Sequence, residues 1–305
     1  MIDVRKLRVL KAVVETGSVS AAAASLNYTP SAVSQLVTAL ERETGAALLE
    51  RAGRGVRPTA AAVLLCDHAT RMLAVVEEAE EALAALRSGQ AGRVRVGAFP
   101  TAGASVVPEA LAAFVRRMPN VRLDLVVAET DDALAKLGAG SIDVAVVVGE
   151  SFDGLSSDGL YGRHLLSDPF RVVLPRGHRL AARRAVDLSA LAGERWVGIS
   201  SCPGYCRQVV SVACRQAGFE PSYGLEADEY PTAQAFVAAG LGVALAPLLA
   251  IGAVHPGVAV RRIRGAQPVR EVWAATRTAL ADELPVRAML DELESAARRF
   301  VAAQD

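Results

Sequence analysis

Three hundred and five residues are about twice the size of a usual domain, so two or three folding units are expected. With 52% hydrophobic and 22% charged residues the composition is that of a soluble globular protein, which excludes disorder, collagen-like repeats and low complexity. The net charge is zero, yet residues 1–58 hold eight Lys/Arg against five Asp/Glu and the remainder 25 against 28, so the total does not exclude a nucleic-acid partner for the head.

Val4, Leu7, Leu10 and Val14 recur at helical spacing, and Gly17 stands where a left-handed cap would stop that helix. Ser18 is a good N-cap for a short second helix in which Ala22, Ala23 and Leu26 share a face, their small size letting another helix approach. After the turn at Asn27-Tyr28, Thr29-Pro30 is a cap followed by proline at the first helical position, the strongest helix start in the chain. Val33, Leu36, Val37 and Leu40 then form the buried stripe of a third helix, which leaves Ser31, Ser34, Gln35, Thr38 and Arg42 outward. That face carries short hydroxyls and an amide in place of the Glu/Lys pairs of an ordinary solvated helix. Such groups hydrogen-bond base edges and phosphates in a major groove, so the arrangement reads as a helix-turn-helix. Leu48-Leu49-Glu50-Arg51, the tip Gly53-Arg54-Gly55 and Val56-Arg57-Pro58 read as a β-wing, with Arg51, Arg54 and Arg57 available to the DNA backbone or minor groove.

The chain here resembles the LysR-type transcriptional regulators. The match runs through Leu7-Arg8-Val9-Leu10, Thr16-Gly17-Ser18-Val19-Ser20-Ala21-Ala22, Leu26, Ser31-Ala32-Val33-Ser34-Gln35, Leu40-Glu41, Gly45, Leu48-Leu49-Glu50-Arg51 and Pro58-Thr59-Ala60. Leu10 and Leu49 stand where the family usually has phenylalanine, and Ala62 replaces a common glycine. The resemblance implies a winged helix-turn-helix, a dimerising linker helix and a two-lobed, periplasmic-binding-protein-like effector domain. Its expected partners are double-stranded DNA, a small-molecule effector and a second copy of the chain, as homodimer or homotetramer. The DNA-facing set is then Ser18, Thr29, Pro30, Ser31, Ser34, Gln35 and Arg54; the hydroxyls and N–H groups at a helix N-terminus suit a phosphate.

From Thr59, a cap, helix-forming composition continues to about Arg87. Leu65, Ala69, Met72, Val76, Ala79, Leu83 and Leu86 alternate steps of four and three, a heptad seam suited to pairing with a second copy, with Leu65, Met72, Val76 and Leu83 as its main contacts. Packing against the chain's own second domain is the alternative. Ser88-Gly89-Gln90-Ala91-Gly92 breaks the helix. The expected domains are residues 1–58, 59–88 and 89–305, the last with lobe one over 89–161 and 268–305 and lobe two over 162–267.

Beyond the hinge, strand and helix patterns alternate. Val94–Phe99, Val121–Val127 and Val144–Val148 read as strands, with helices over Val106–Met118 and Asp131–Leu137 between them. A similar unit follows from about Gly162, with strands at Phe170–Leu174, Tyr223–Glu226 and Val243–Ala246 and helices at Tyr205–Gln216 and Thr232–Ala238. The fold class is therefore α/β with an all-α-rich head, the body expected as a parallel sheet flanked by helices. Val269–Ala275 and a last helix, Leu284–Val301, return to the first lobe if two strands cross between lobes, as the resemblance implies. The twenty uncharged residues from Ala235 to Val254 are long enough for a bilayer, but Gly240, Gly242, Gly252 and Pro247 favour a buried helix, turn, strand and turn.

A ligand between two such lobes would sit at strand-to-helix junctions. Thr101 and Ala102 lie at one and Ser201, Cys202, Pro203 and Gly204 at the other, with Thr130 beside the second strand; each could equally be a turn or a cap. Neither junction contains arginine or lysine, so a polar or anionic effector held by hydroxyls and N–H groups is expected, with affinity on the order of micromolar to millimolar. No G-x-S-x-G, P-loop, H-E-x-x-H or complete G-x-G-x-x-G occurs; the four histidines lack metal-ligand spacing, and Cys202-Pro203-Gly204-Tyr205-Cys206 with Cys214, which could suggest a metal, has no histidine or fourth cysteine nearby, so neither enzyme chemistry, metal nor cofactor is expected. The alternatives are thiol sensing and, behind it, an enzyme built on the two-lobed fold. Cys214-Arg215-Gln216-Ala217-Gly218 resembles the second redox cysteine of the peroxide-sensing branch, but Tyr205 stands at the first cysteine's position, one residue before Cys206. Five charges between Met1 and Lys11 and the lack of a disulfide framework make a cytoplasmic location the expectation.

Overall fold

The computed structural model describes residues 3–52, 55–88, 92–150, 159–200 and 204–304. Two units are present, one built on residues 1–90 and the other on 91–137 and 142–305.

In the first unit the local signals act as their chemistry dictates. Helix α1 (Val4–Thr16) starts at Asp3, whose carboxylate accepts the Arg5 N–H at 2.9 Å, and stops at Gly17 with φ +63°. Ser18 Oγ accepts the Ala21 N–H at the start of α2 (Val19–Ser25), and Thr29 Oγ1 accepts the Ala32 N–H at the start of α3 (Pro30–Thr44). Each cap satisfies a donor that the first helical turn leaves unpaired. Strands β1 (Leu49–Ala52) and β2 (Gly55–Pro58) pair antiparallel as the wing. Two apolar clusters hold this head together. Val9, Val13, Ala22, Ala23, Val33 and Val37 join the three helices, and Leu7, Leu10, Leu40 and Leu48 pack on Ala62 and Ala69 of the 29-residue helix α4 (Ala60–Ser88). Thr59 Oγ1 caps α4 by accepting the Ala62 N–H.

In the second unit β3 (Arg93–Ala98) lies between and parallel to β4 (Arg122–Val127) and β5 (Val144–Val148). The intervening helices are α5 (Pro100–Gly103), α6 (Val106–Arg117) and α7 (Thr130–Gly138). Strand β6 (Leu160–Pro175) runs through both lobes. Its first part pairs with β12 (Val269–Arg277), and its last part pairs with β10 (Ala244–Pro247) and β11 (Val258–Ile263). Strand β12 is also antiparallel to β5, so β6 and β12 are the two strands that link the lobes. The second lobe adds β7 (Ala185–Val186), paired with β11, and β8 (Arg195–Ile199), parallel to β9 (Ser222–Ala227). Its helices are α8 (Tyr205–Gln216) and α9 (Tyr230–Ala238). Helix α10 (Leu284–Ala302) closes the first lobe, where Met289, Leu290 and Leu293 are fully buried with Val94, Val96 and Phe114.

The sheet is therefore mixed and not all-parallel. The expectation of parallel strands holds for β4, β3 and β5; where the chain passes between lobes, long antiparallel strands replace helical crossovers. The second-lobe strand read as Phe170–Leu174 is the end of this longer strand. The uncharged stretch from Ala235 to Val254 resolves into the end of α9, a turn, β10 and a 3-10 turn over Leu248–Ala250. Among the described residues no helix is long and apolar enough to cross a membrane.

Candidate DNA-reading face and ligand site

Helix α3 buries Val33, Val37 and Leu40 and leaves Thr29, Pro30, Ser31, Ser34, Gln35, Thr38 and Arg42 exposed. Ser18 is half-buried at its cap. Arg54 lies outside the described residues, but Arg51 and Arg57 are exposed on the two wing strands. Hydrogen bonds tie the wing to the helices: Val56 donates its N–H to the Gly17 carbonyl at 3.1 Å, and Glu41 Oε1 accepts the Leu48 N–H at 2.8 Å and the Leu49 N–H at 3.4 Å. Glu41 is thus a positioning residue. In the sequence Glu41 stands out only through the family match, since nothing local says that a helical glutamate reaches seven residues on to the start of a strand.

The linker helix corrects part of the heptad reading. Ala69 is fully buried and Leu65 packs beside it against the head's own core, because a small three-helix head needs α4 to close its apolar side. Val76 is half-buried. Met72 at 48% exposure and Leu83 at 59% remain free, and with Leu64 and Val75 they form the apolar face still open to a partner.

Among the described residues of the second unit, the most buried charged pair stands where β6 and β12 link the lobes. Arg270 of β12 is 2% exposed and Asp168 of β6 is 1% exposed. The Arg270 Nε and Nη2 both lie 2.9 Å from Asp168 Oδ2. The same guanidinium donates to Thr101 Oγ1 at 2.8 Å and reaches Cys206 Sγ at 3.6 Å, with its carbon 5.0 Å from the Phe99 ring centroid. The second Asp168 oxygen accepts the Leu249 N–H at 3.1 Å. Burial opposes the Arg270 charge, but the Asp168 carboxylate outweighs it and holds the guanidinium above its ordinary value. One side chain therefore ties Thr101 and Phe99 of lobe one to Cys206 of lobe two.

Neither junction segment contains a basic side chain, yet Arg270 reaches Thr101 from a strand 169 residues further along the chain. Thr130 is half-buried and its Oγ1 accepts the Val148 N–H at 3.1 Å, joining α7 to the end of β5. Ala102 is buried in the lobe-one core with Phe99. Gly204 is exposed and starts α8 with φ +74°, a left-handed conformation that suits glycine; Ser201, Cys202 and Pro203 lie outside the described residues. Glu129, at the start of α7, has its carboxyl pushed up by burial against the opposing pull of Arg270. Cys206 and Cys214 are both buried on α8, and burial pushes the Cys214 thiol up to about 11. A thiol so placed is seldom a thiolate at neutral pH, which counts against thiol sensing at Cys214.

A winged helix-turn-helix with an exposed polar third helix, followed by a two-lobed α/β body with a polar cluster at the strands linking its lobes, defines a ligand-responsive DNA-binding regulator. The family models for the bacterial regulatory helix-turn-helix protein, lysR family, and for the LysR substrate binding domain match residues 4–63 and 87–298, so the chain belongs to the LysR family of transcriptional regulators. It is 31% identical over 97% of its length, and 89% of the relative's, to the HTH-type transcriptional regulator CbbR of Xanthobacter flavus. It is 29% identical to the hydrogen peroxide-inducible genes activator of Dickeya chrysanthemi, over 82% of this chain and 80% of that one. Full-length CbnR, solved in complex with its target DNA, shares the fold at a TM-score of 0.71 and 22% identity, covering 98% of this chain and all of that one.

Proposed function

We propose that this regulator senses a small polar or anionic molecule at the Thr101–Arg270 junction and transmits it through an α4-mediated dimer, or a tetramer of such dimers, to the spacing of its DNA-reading helices in the cytoplasm. The working divisions are a DNA-binding head over 1–58, the α4 linker over 59–88 and an effector domain over 89–305. The observation that carries the reading is the single guanidinium bonded to both lobes. A ligand that competes for Thr101 or for Arg270 changes how the lobes are held, and so gains the differential affinity that a conformational response requires. Because Asp168 already balances Arg270, little uncompensated charge is left for an anion, which supports an affinity on the order of micromolar to millimolar.

Thr101→Val keeps the shape and removes the acceptor of the Arg270 bond. It is expected to cost about 1–2 kcal/mol of stability and to abolish the effector-dependent change in operator affinity, while ligand-free operator binding persists. The assay is fluorescence anisotropy with an effector found by thermal-shift screening of small carboxylic acids and polar metabolites; an undiminished response in Thr101→Val removes this residue from the site.

Met72→Glu with Val75→Glu places like charges across the open apolar face of α4. Dimer dissociation is expected to strengthen by about 100-fold or more, since juxtaposed like charges in an interface cost several kcal/mol. Sedimentation velocity of the full chain reads this directly. An unchanged sedimentation coefficient assigns self-association to another surface.

A further inference from the structure

At the β11–β7 end of the second lobe five arginines converge on one open groove of about 570 Å³: Arg171 of β6, Arg183 and Arg184 ahead of β7, and Arg261 and Arg262 of β11. Two of them are positioned without being neutralised. Arg171 Nη1 donates to the Phe170 carbonyl at 3.1 Å and to Gln267 Oε1 at 2.7 Å, while Arg261 donates to the carbonyls of Ala181 and Val260, at 2.7 Å from Nε and 2.6 Å from Nη1. All these acceptors are uncharged. Arg183, Arg184 and Arg262 are exposed, and no carboxylate among the described residues pairs with them; Asp187 faces Arg264 instead, at 3.7 Å. The crowding is felt at Arg171, whose guanidinium is held below its ordinary value first by burial and then by the Arg262 charge, with Asp168 opposing.

Charges on an edge strand also guard it against pairing with another sheet. That role needs neither a concave wall nor guanidiniums anchored by neutral acceptors. Guanidinium is the side chain best matched to phosphate oxygens, offering paired N–H donors in a fixed plane. The groove also has the volume of a small-ligand site, for which about 300–1,000 Å³ is usual.

We propose that this groove is a second ligand site, separate from the Thr101–Arg270 junction, for a compact oxyanion carrying several charges, of the pyrophosphate or triphosphate class. Such an anion replaces repulsion among the arginines with charge-assisted hydrogen bonds, and a singly charged ligand leaves most of that repulsion in place.

Isothermal titration of the full chain with tripolyphosphate, ATP and orthophosphate at near-physiological salt tests this. Saturable one-to-one binding of tripolyphosphate is expected, at least about tenfold tighter than orthophosphate, because each added contact to a phosphate oxygen is charge-assisted. Arg183→Gln with Arg262→Gln should weaken it by about tenfold or more for the same reason, with an unchanged ligand-free melting temperature, and Thr101→Val should leave it intact. Equal affinity for ATP and tripolyphosphate assigns the groove to the phosphate chain alone, tighter ATP to a nucleotide, and both uphold the site. Absence of saturable heat, or binding unaltered in the double variant, overturns it. So does loss of operator affinity in the double variant with no competition from tripolyphosphate, which would make the groove a DNA contact.

Discussion

Arg270→Met is expected to destabilise the effector domain by about 3–5 kcal/mol, because it removes the partner of a carboxylate that stays buried. Asp168 is 1% exposed and would retain only backbone N–H donors, that of Leu249 at 3.1 Å among them, so its charge could be neither hydrated nor balanced. Both tryptophans, Trp196 and Trp273, lie in the second unit, so selectively excited tryptophan fluorescence in a urea titration of the full chain follows this domain without interference from the head. The double variant Arg270→Met with Asp168→Leu should recover most of the loss, since replacing both members of a buried pair by apolar groups is often neutral. It should not recover effector response, because the link from Thr101 to the second lobe is gone. A single variant within about 1 kcal/mol of the unmutated chain would show that water reaches Asp168 and that the pair does not hold the lobes.

The inward placement of both members of that pair is legible in the sequence. Leu166, Asp168, Phe170, Val172 and Leu174 are all buried and fall on alternate positions of β6; Arg270, Val272, Ala274 and Thr276 do the same on β12. Strand periodicity therefore points Asp168 and Arg270 inward. What periodicity withholds is the pairing of β6 with β12, because the two strands are about a hundred residues apart and register between distant strands is set by tertiary packing. The head was far more readable. Caps at Ser18 and Thr29, the left-handed glycines Gly17 and Gly45 and the buried stripe of α3 are all short-range devices, so local sequence specifies them almost alone. Helix α4 falls between these cases: its heptad is visible in sequence, but the choice between its own head and a partner copy is decided by how much apolar surface the head leaves uncovered.

Gln35→Ala is expected to flatten discrimination between operator and scrambled DNA by about 1–3 kcal/mol, the usual value of one bidentate amide-to-base contact. Gln35 is exposed on α3, one turn in from the Thr29 cap, beside Ser31 and Ser34, and its side chain does not support the core, which Val33 and Val37 fill from the opposite face. Loss of the amide should therefore leave folding intact. Arg57 on the exposed wing strand provides the contrast, because a guanidinium that meets phosphate contributes equally on every sequence. Arg57→Gln should weaken operator and scrambled DNA in parallel and reduce the slope of log K against log salt by about one. The two variants thus separate along different axes of the same titration, the specificity ratio for Gln35 and the salt dependence for Arg57. Glu41→Gln makes a third comparison, since the amide can still accept the Leu48 N–H and keep the wing in place, so both axes should stay near those of the unmutated chain. Unchanged affinity and sequence preference in Gln35→Ala would mean that α3 does not present this face to the major groove, and the assignment of Ser31 and Ser34 would fall with it.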